Sequence, residues 1–405
     1  MSTEKFRDVV IYGTMFLMPI IFVPGLRDMF ALPRVSLLRA AALVLFGLLI
    51  FRIKEIKLSK PDFLIFLYLL VNVSSTVFSV SPGISWSGRY LYYFAGLMQM
   101  FCFLIFYLAV RFQGPGFKNS LYRAVSYSAA VVSFYGLIQF IGWDFMKWNV
   151  GRERIFSTFG NPDFLAGFLV ISVPLVLRVF LRSISGKEKL FLLFIVIASF
   201  FTLMMTKSRA GWLGFLASVF VLRNEIKILS GRLKILFLIF VIIAGLFIGF
   251  GGREWGLETP GIKSRLTGWN AALKSVRERP ITGYGPDTLA EAITPYLPDE
   301  YSRLTKETGN PGYAHNIFLD IAVFSGIPGL VLFALILFGF FRNTKDSFLR
   351  SALAGFVVYG FFSICGLAMW LYFWVFLASG GKDADAVNEN SVAGDVNRRN
   401  TEEEK

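Results

Sequence analysis

Residues 190–206 read LFLLFIVIASFFTLMMT, a stretch without a single charged side chain. A helix rises about 1.5 Å per residue, so about 17 to 25 apolar residues are needed to cross a hydrocarbon core of roughly 30 Å. This stretch meets that length and carries large apolar side chains on every face. It is typical of a transmembrane helix and not of a surface helix in a soluble protein.

Similar stretches recur along the whole chain. Of its 405 residues, 55% are hydrophobic and only 17% are charged, whereas soluble domains contain roughly 45 to 50% apolar residues. This composition excludes an ordinary soluble enzyme and makes the lipid bilayer an expected partner. The pattern predicts an all-α fold, a polytopic transmembrane helical bundle of about 12 spans. The spans are expected at 9–25, 35–51, 62–78, 91–110, 124–141, 164–181, 190–206, 210–222, 235–250, 326–341, 351–365 and 366–378.

The short loops between these spans predict the orientation. Lys and Arg resist translocation, so loops that are rich in them stay in the cytoplasm. Alternate loops are basic, at 52–60, 111–123, 182–189, 223–234 and 342–350. These ends are therefore predicted to be cytoplasmic, and an even number of spans places both termini on that side.

The chain is predicted to divide into four regions. Residues 1–250 hold spans one to nine, and residues 326–379 hold spans ten to twelve. Between them, 251–325 form one large external loop with a helical patch at 264–277, too long to be structureless and therefore expected to be folded and functional. Residues 380–405 are acidic and poor in large apolar side chains, so we expect a disordered cytoplasmic tail.

Charge and metal-binding residue types limit the chemistry. The net charge of +14 is expected in cytoplasmic loops, so we expect no nucleic-acid partner. His315 is the single histidine, which excludes a metal centre built on several imidazoles. The two cysteines, Cys102 and Cys365, lie in apolar runs and offer neither a disulfide framework nor a thiolate site. We expect no metal and no cofactor.

Lys207 and Arg209 occupy an unusual position. They stand at the predicted external junction of two closely connected spans, where the orientation rule predicts few positive charges. A guanidinium at a membrane surface can bind a pyrophosphate through two hydrogen bonds and keeps its charge at any relevant pH. The alternative is an anchor whose charged end reaches the membrane interface. The residues alone leave both readings open.

Two further candidates lie in the predicted external loop. Arg265 begins an amphipathic helical pattern, but Lys274, Arg277 and Arg279 look no different, so on spacing alone a solvated helix charge is the better explanation. His315 lies where the polar loop re-enters the membrane. An imidazole there can accept a proton near neutral pH, as activation of a sugar hydroxyl requires. A structural role for this lone histidine stays open as well.

A secondary transporter is the competing class of protein. Transporters carry ionisable residues in mid-membrane and internal repeats. The predicted spans contain no mid-membrane Asp or Glu, and the two halves of the chain show no similar pattern. The polar residues of interest are concentrated at the predicted external surface, which favours an enzyme acting on a membrane-embedded substrate.

The spacing around His315 resembles that of a known family. His315 and Asn316, followed after nine residues by Gly326 and after two more by Gly329, match the pattern of the O-antigen ligase family in full. That family also contains O-antigen polymerases and protein O-oligosaccharyltransferases. Supporting matches are Ser208, Arg209, Ala210 and Gly211, then Arg265 with Trp269, Pro280, Gly283 and Gly285, and the run from Ser157 to Pro162.

The resemblance implies a glycosyl transferase of the bacterial inner membrane with its active site facing the periplasm. The implied donor is a glycan on undecaprenyl pyrophosphate. The implied acceptor is a hydroxyl of lipid A core for ligases, another repeat unit for polymerases, or a protein for oligosaccharyltransferases. Family polymerases show two sizeable periplasmic loops, whereas only one is long here, which favours O-antigen ligation in lipopolysaccharide biosynthesis.

The resemblance also assigns roles to residues. Arg209 and Arg265 are expected to neutralise the departing pyrophosphate, and His315 is expected to take the proton of the attacking hydroxyl. Asn316 is expected to orient the acceptor or His315. Substrate contacts are also expected for Lys207, Trp269 and Tyr284. The reaction would invert the anomeric centre and would need no metal.

Overall fold

The computed structural model describes residues 3–51, 58–111, 113, 116–146, 148, 154–226, 260–299, 301 and 312–380. Every regular element in these ranges is helical, so the all-α prediction is confirmed for them. The α-helices are α1 (Thr3–Leu17), α2 (Ala31–Ile50), α3 (Lys60–Val77), α4 (Pro82–Ser87), α5 (Leu97–Arg111), α6 (Phe117–Phe140), α7 (Pro162–Arg182), α8 (Gly186–Met205), α9 (Arg209–Val221), α10 (Arg223–Ile226), α11 (Pro260–Glu278), α12 (Leu289–Ile293), α13 (Ile317–Asn343), α14 (Ser347–Phe362) and α15 (Leu367–Ser379).

Six of the described helices are long and apolar enough to cross a membrane: α2, α3, α6, α7, α8 and α13. Four further apolar helices, α5, α9, α14 and α15, are shorter. By length and composition this is a multi-pass membrane protein. The ninth predicted span, at 235–250, lies outside the described residues. The count of twelve spans therefore stays a prediction, with six of them matched by helices of full length.

The first predicted span, 9–25, is not a single helix. Helix α1 ends at Leu17, because Pro19 interrupts the run and a residue before proline is disfavoured in the α conformation. The carbonyl groups freed at this end accept hydrogen bonds from the buried guanidinium of Arg34, at 3.0 Å from Met18 O to Nε and 3.4 Å from Pro19 O to Nη2. A polar side chain thus satisfies backbone that the interrupted helix leaves open.

Helix α7 lies at the centre of the bundle and packs against α6, α8, α9 and α14. Its side chains from Leu165 to Val176 are all buried. Small residues bring α9 and α14 into close contact, since a Cβ added at Gly214 would lie 2.8 Å from Gly355 O. Ser218 and Ser351 donate to each other's carbonyl groups across the same contact, at 3.1 and 2.8 Å. These contacts fix the helices that carry the candidate site.

The bundle has two chemically different ends. At the basic end, Asp346 at the start of α14 accepts a hydrogen bond from Tyr122 at the start of α6 and pairs with Arg178 near the end of α7. At the opposite end, which we call the site end, α7 and α9 begin and α14 finishes. There the Tyr359 hydroxyl donates to Asp163 O at 2.6 Å. The predicted basic loops after α7 and α13 fall at the basic end.

Helix α13 begins earlier than expected. The external loop was predicted to end at 325, but α13 starts at Ile317 and continues to Asn343. Its backbone is kinked at Ser325 and Gly326, where Gly326 has a φ of 68°. The helix therefore includes a segment before the predicted span 326–341, and the kink lies where that span is predicted to begin.

The kink accommodates the turn that follows α11. Ile327 N donates to Pro280 O at 2.7 Å, and Tyr284 N donates to Val323 O at 2.8 Å. A Cβ at Gly326 would lie 2.5 Å from Ile281 O, so only glycine allows the two backbones to approach this closely. Gly326 is therefore a docking position between α13 and the turn at 280–284.

The remaining boundaries are only partly covered. The predicted helical patch at 264–277 corresponds to α11, Pro260–Glu278. Other parts of the predicted external loop, 251–259 and 302–311, lie outside the described residues, and so does the predicted tail from 381 onward. The division of the chain into four regions stays a prediction.

Candidate functional site

His315 lies in a short turn that is fixed on both sides. The preceding Ala314 accepts a hydrogen bond at its carbonyl from Trp269 Nε1 at 2.8 Å, and its N–H donates to Asp320 Oδ1, also at 2.8 Å. His315 itself has a φ of 56°, the left-handed region that non-glycine residues rarely adopt. The imidazole is half-buried at the site end of the bundle. Its turn is therefore held by helix α11 and by the first turn of α13.

Asn316, which follows the histidine, caps the start of α13. Its side-chain oxygen accepts hydrogen bonds from Phe318 N at 3.0 Å and Leu319 N at 3.2 Å, which makes it the N-cap of α13. The side chain is 3% exposed. The structure thus gives Asn316 a role in holding the His315 turn, and its expected contact with substrate stays a prediction.

The electrostatic surroundings keep His315 neutral. Burial, and to a smaller extent the nearby Arg265 cation, together lower the pKa of His315 to about 4, against the opposing effect of Asp163. The imidazole is therefore uncharged at neutral pH and free to accept a proton. The low pKa thus follows from the partial burial of the ring and from the nearby Arg265 guanidinium.

Arg265 interacts electrostatically with both His315 and Arg209, the other predicted arginine. Burial lowers the pKa of Arg265, the Asp163 carboxylate and Tyr359 raise it, and the neighbouring cations Arg209 and Arg154 lower it again. The three residues predicted to be catalytic, Arg209, Arg265 and His315, are thus brought together at one end of the bundle, although they come from α9, α11 and the turn before α13.

The junction that carries Lys207 and Arg209 is a tight turn between α8 and α9. Lys207 has a φ of 51°, and its N–H donates to Met204 O at 3.0 Å. Ser208 is the N-cap of α9 and accepts a hydrogen bond from Gly211 N. The Ser208 hydroxyl also hydrogen-bonds the Asp163 carboxylate. This turn therefore lies beside the same acid that neighbours His315 and Arg265.

Comparisons with known proteins support the family resemblance of the sequence. The family model described as O-antigen ligase matches residues 193–334. This segment of the chain is similar to the O-antigen ligase family. The matched segment contains Arg209, Arg265 and His315.

Two curated relatives are similar to the chain. An uncharacterized protein of Haemophilus influenzae is 24% identical over 254 residues, which cover 56% of this chain and 61% of the relative. A protein of Rickettsia felis named "Putative polysaccharide ligase" is 26% identical over 236 residues, which cover 54% of this chain and 56% of the relative. The chain thus spans less than two thirds of the length of either relative. No solved structure matches it.

Two charged residues beside the site, Arg154 and Asp163, are not among the residues predicted from the sequence. Arg154 Nη2 donates to Asp163 Oδ1 at 2.8 Å, and Arg154 Nε donates to Thr206 O at 2.6 Å. This pair links the start of α7 to the turn that carries Arg209. The run Asn161, Pro162, Asp163 is a recognisable helix start with an acidic residue in the first turn. Its proximity to the arginines, however, arises only in the folded chain.

Trp269 and Tyr284 have different surroundings. Trp269 contacts the site through its hydrogen bond to Ala314, and its ring meets the edge of Phe361 with centroids 5.9 Å apart. The Tyr284 hydroxyl instead donates to Glu278 Oε2 at 3.1 Å, and its backbone pairs with Val323. Val323 lies about 10 Å along α13 from the helix start beside His315, at about 1.5 Å per residue. The structure does not bring Tyr284 into the cluster.

Proposed function

We propose that this protein is a membrane glycosyl transferase that moves a glycan from undecaprenyl pyrophosphate to an acceptor hydroxyl on the periplasmic face. Lipid A core is the proposed acceptor, so that the reaction is O-antigen ligation. The observation that carries the proposal is the convergence of a neutral imidazole with two guanidinium groups at one end of a helical membrane bundle. The family match and the name of the Rickettsia felis relative support the same class of activity.

The proposed reaction is a single displacement at the anomeric carbon. The acceptor hydroxyl oxygen forms the new glycosidic bond while the bond between that carbon and the pyrophosphate oxygen breaks. His315 takes the hydroxyl proton, for which a neutral ring is required. The bonding electrons leave with the diphosphate, and attack from the opposite side inverts the anomeric centre.

Arg209 and Arg265 stabilise the leaving group in this proposal. Negative charge on the diphosphate grows as the bond breaks, so cations placed in advance lower the barrier. A guanidinium can donate two hydrogen bonds to two phosphate oxygens, which suits both positions. Lys207 adds a third cation in the same turn as Arg209. Arg154 and Asp163 hold this turn in place.

The position of the site supports a periplasmic orientation. The candidate residues lie at the site end, where α7 and α9 begin, and the basic loops lie at the opposite end of these helices. Basic loops stay in the cytoplasm during insertion, so the site end faces the other side of the membrane. Donor and acceptor would meet there at the outer leaflet.

The proposal is tested by reconstitution in lipid vesicles with a defined lipid-linked donor. Lipid A core, a second lipid-linked repeat unit and a hydroxyl-bearing protein are offered in separate reactions, and the products are identified by mass spectrometry. Ligation to lipid A core by the wild type, and its loss in His315→Gln, is the expected result. Transfer only to the repeat unit would instead indicate a polymerase, and transfer only to the protein would indicate an oligosaccharyltransferase. Movement of the donor without any covalent product would favour a transporter.

A further inference from the structure

A cavity with both polar and apolar side chains in its wall lies near the candidate site. Its volume is about 280 Å³, close to the lower end of the range of ligand pockets, about 300 to 1,000 Å³. The beginnings of α2, α7 and α15 and the segment before α2 contribute its walls. The lining includes Arg27, Asp28, Phe30, Asn161, Phe164 and Leu367. None of these residues belongs to the proposed catalytic group.

Two aromatic rings of the cavity wall connect it to the turn that carries His315. The Phe164 ring lies 5.5 Å from the Phe94 ring between centroids, and the Phe94 ring lies 5.4 Å from that of Tyr313, two residues before His315. Both Phe94 and Phe164 line the cavity. Asn161 and Phe164 also flank Asp163, which neighbours His315 electrostatically. The cavity wall therefore contacts Tyr313, at the start of the turn that carries the proposed base.

Asp28 gives the cavity an unsatisfied polar group. The residue is 6% exposed, and its Oδ1 accepts a hydrogen bond from Ala31 N at 2.8 Å. Among the residues that the structure describes, no donor reaches its Oδ2. A buried carboxylate oxygen without a donor is unfavourable unless a ligand supplies one. A hydroxyl group is a suitable donor for such an oxygen.

The cavity is poorly suited to the diphosphate of the donor. The Asp28 carboxylate repels an anion. The guanidinium of Arg34, which also lines the cavity, already donates to three backbone carbonyls and lies over the Phe159 ring. The surroundings thus combine a hydrogen-bond acceptor, Asp28, and a hydrogen-bond donor, Arg27, with apolar rings. That combination matches the hydroxyl groups and the apolar ring face of a sugar.

We infer that this cavity is the subsite for the acceptor sugar, with Asp28 accepting a hydrogen bond from one of its hydroxyl groups. The inference rests on the proposed function. In a single displacement, the attacking hydroxyl and the leaving diphosphate lie on opposite sides of the anomeric carbon. The two substrates must therefore reach His315 from different directions, and the cavity and the arginine cluster provide two such approaches.

The test measures initial rates of ligation by the full-length protein in vesicles, with acceptor and donor varied separately. Asp28→Asn keeps the oxygen that caps Ala31 and replaces the other oxygen with a donor. We expect the acceptor KM to rise about tenfold or more, the effect of losing one hydrogen bond to a charged group. The donor KM should stay within twofold of the wild-type value.

A second variant keeps the test decisive if Asp28→Asn does not fold. Ala31→Phe adds a side chain to the wall of the cavity, and we expect the same selective rise in the acceptor KM. Glu291→Gln is the matched control, because Glu291 lies at the site end but pairs with Arg89 outside the cavity. It should change neither KM.

The outcomes separate the two proposals. Ligation by the wild type together with unchanged acceptor KM values in both cavity variants would overturn the subsite and leave the proposed function intact. A selective rise in the donor KM would also overturn the subsite. If the wild type ligates no glycan to any acceptor, the proposed function fails, and the acceptor subsite fails with it.

Discussion

At the scale of single residues, the site depends on how one imidazole is surrounded. Arg265 and Asp163 act on the His315 ring in opposite directions, and burial exceeds both effects. An unperturbed histidine would be partly protonated near pH 6.5 and would lose part of its function as a base there. The lowered pKa of His315, about 4, keeps the ring available over a wider range of pH.

The two neighbours of His315 should move its pKa in opposite directions. Since Arg265 lowers the pKa and Asp163 raises it, Arg265→Gln should raise it and Asp163→Asn should lower it. His315 is the single histidine, so a nuclear magnetic resonance titration of a ring-labelled sample reports it directly. Glu291→Gln should leave the titration unchanged. Identical titrations in all variants would contradict the placement of Arg265 and Asp163 near the ring.

The same lowered pKa predicts the acid limb of activity. His315 must be neutral to accept a proton, so kcat/KM for ligation should persist below the ordinary histidine pKa and fall as the pH approaches about 4. A series of initial rates across this range checks the prediction. A fall centred on the ordinary value near 6.5 would contradict it.

The two arginines should not tolerate lysine. A lysine keeps the charge but loses the planar pair of donors, so Arg209→Lys and Arg265→Lys should each reduce kcat roughly 100-fold, the effect of losing one donor to a developing anion. Arg279→Lys is the control, since Arg279 lies over the Tyr284 ring outside the cluster. Near-normal rates in both site variants would instead favour the anchoring role.

At the scale of helices, the sequence predicted the apolar runs better than the places where they end. The break after Leu17 could have been predicted from Pro19, and the start of α13 from the capping residue Asn316. The kink at Gly326 depends on a turn that lies more than forty positions earlier, at 280–284. Spacing alone cannot show that two backbones touch there.

Gly326 and Gly339 provide a matched pair within α13. A Cβ at Gly326 would collide with Ile281 O and requires a φ of 68°, whereas a Cβ at Gly339 has nothing within 4 Å. Gly326→Ala should lower the free energy of unfolding by about 1 to 3 kcal/mol. Gly339→Ala should leave it unchanged or raise it slightly.

Thermal unfolding of both variants in detergent measures this difference. Equal melting temperatures for the two variants would mean that the backbone at Gly326 accepts a Cβ without loss of stability. The contact with the turn at 280–284 would then not constrain the kink.

At the scale of the whole molecule, the sequence predicted three site residues but not the side chains that surround and support them. The family pattern pointed to Arg209, Arg265 and His315, and the fold brings them together. Arg154 and Asp163 escaped notice because their bonds reach Thr206 and the neighbouring arginines, relationships that only the packing of α7 against α8 and α9 creates.

The orientation of the bundle is open to a labelling experiment. The native cysteines, Cys102 and Cys365, are buried and should give little background. Asp299→Cys places a thiol at the site end, and Lys187→Cys places one at the basic end; both positions are exposed. In spheroplasts, a membrane-impermeant maleimide should label only the first variant. Labelling of the second alone would reverse the proposed topology.

The turn that carries His315 is fixed by hydrogen bonds from the protein itself. Trp269 holds the carbonyl of Ala314, Asp320 holds its N–H, and Asn316 caps the following helix. The fold itself therefore positions the imidazole, and the proposed reaction should require little reorganisation of this turn. In the proposed reaction, turnover should then depend on how quickly donor and acceptor diffuse to the site, and a more viscous membrane should slow it.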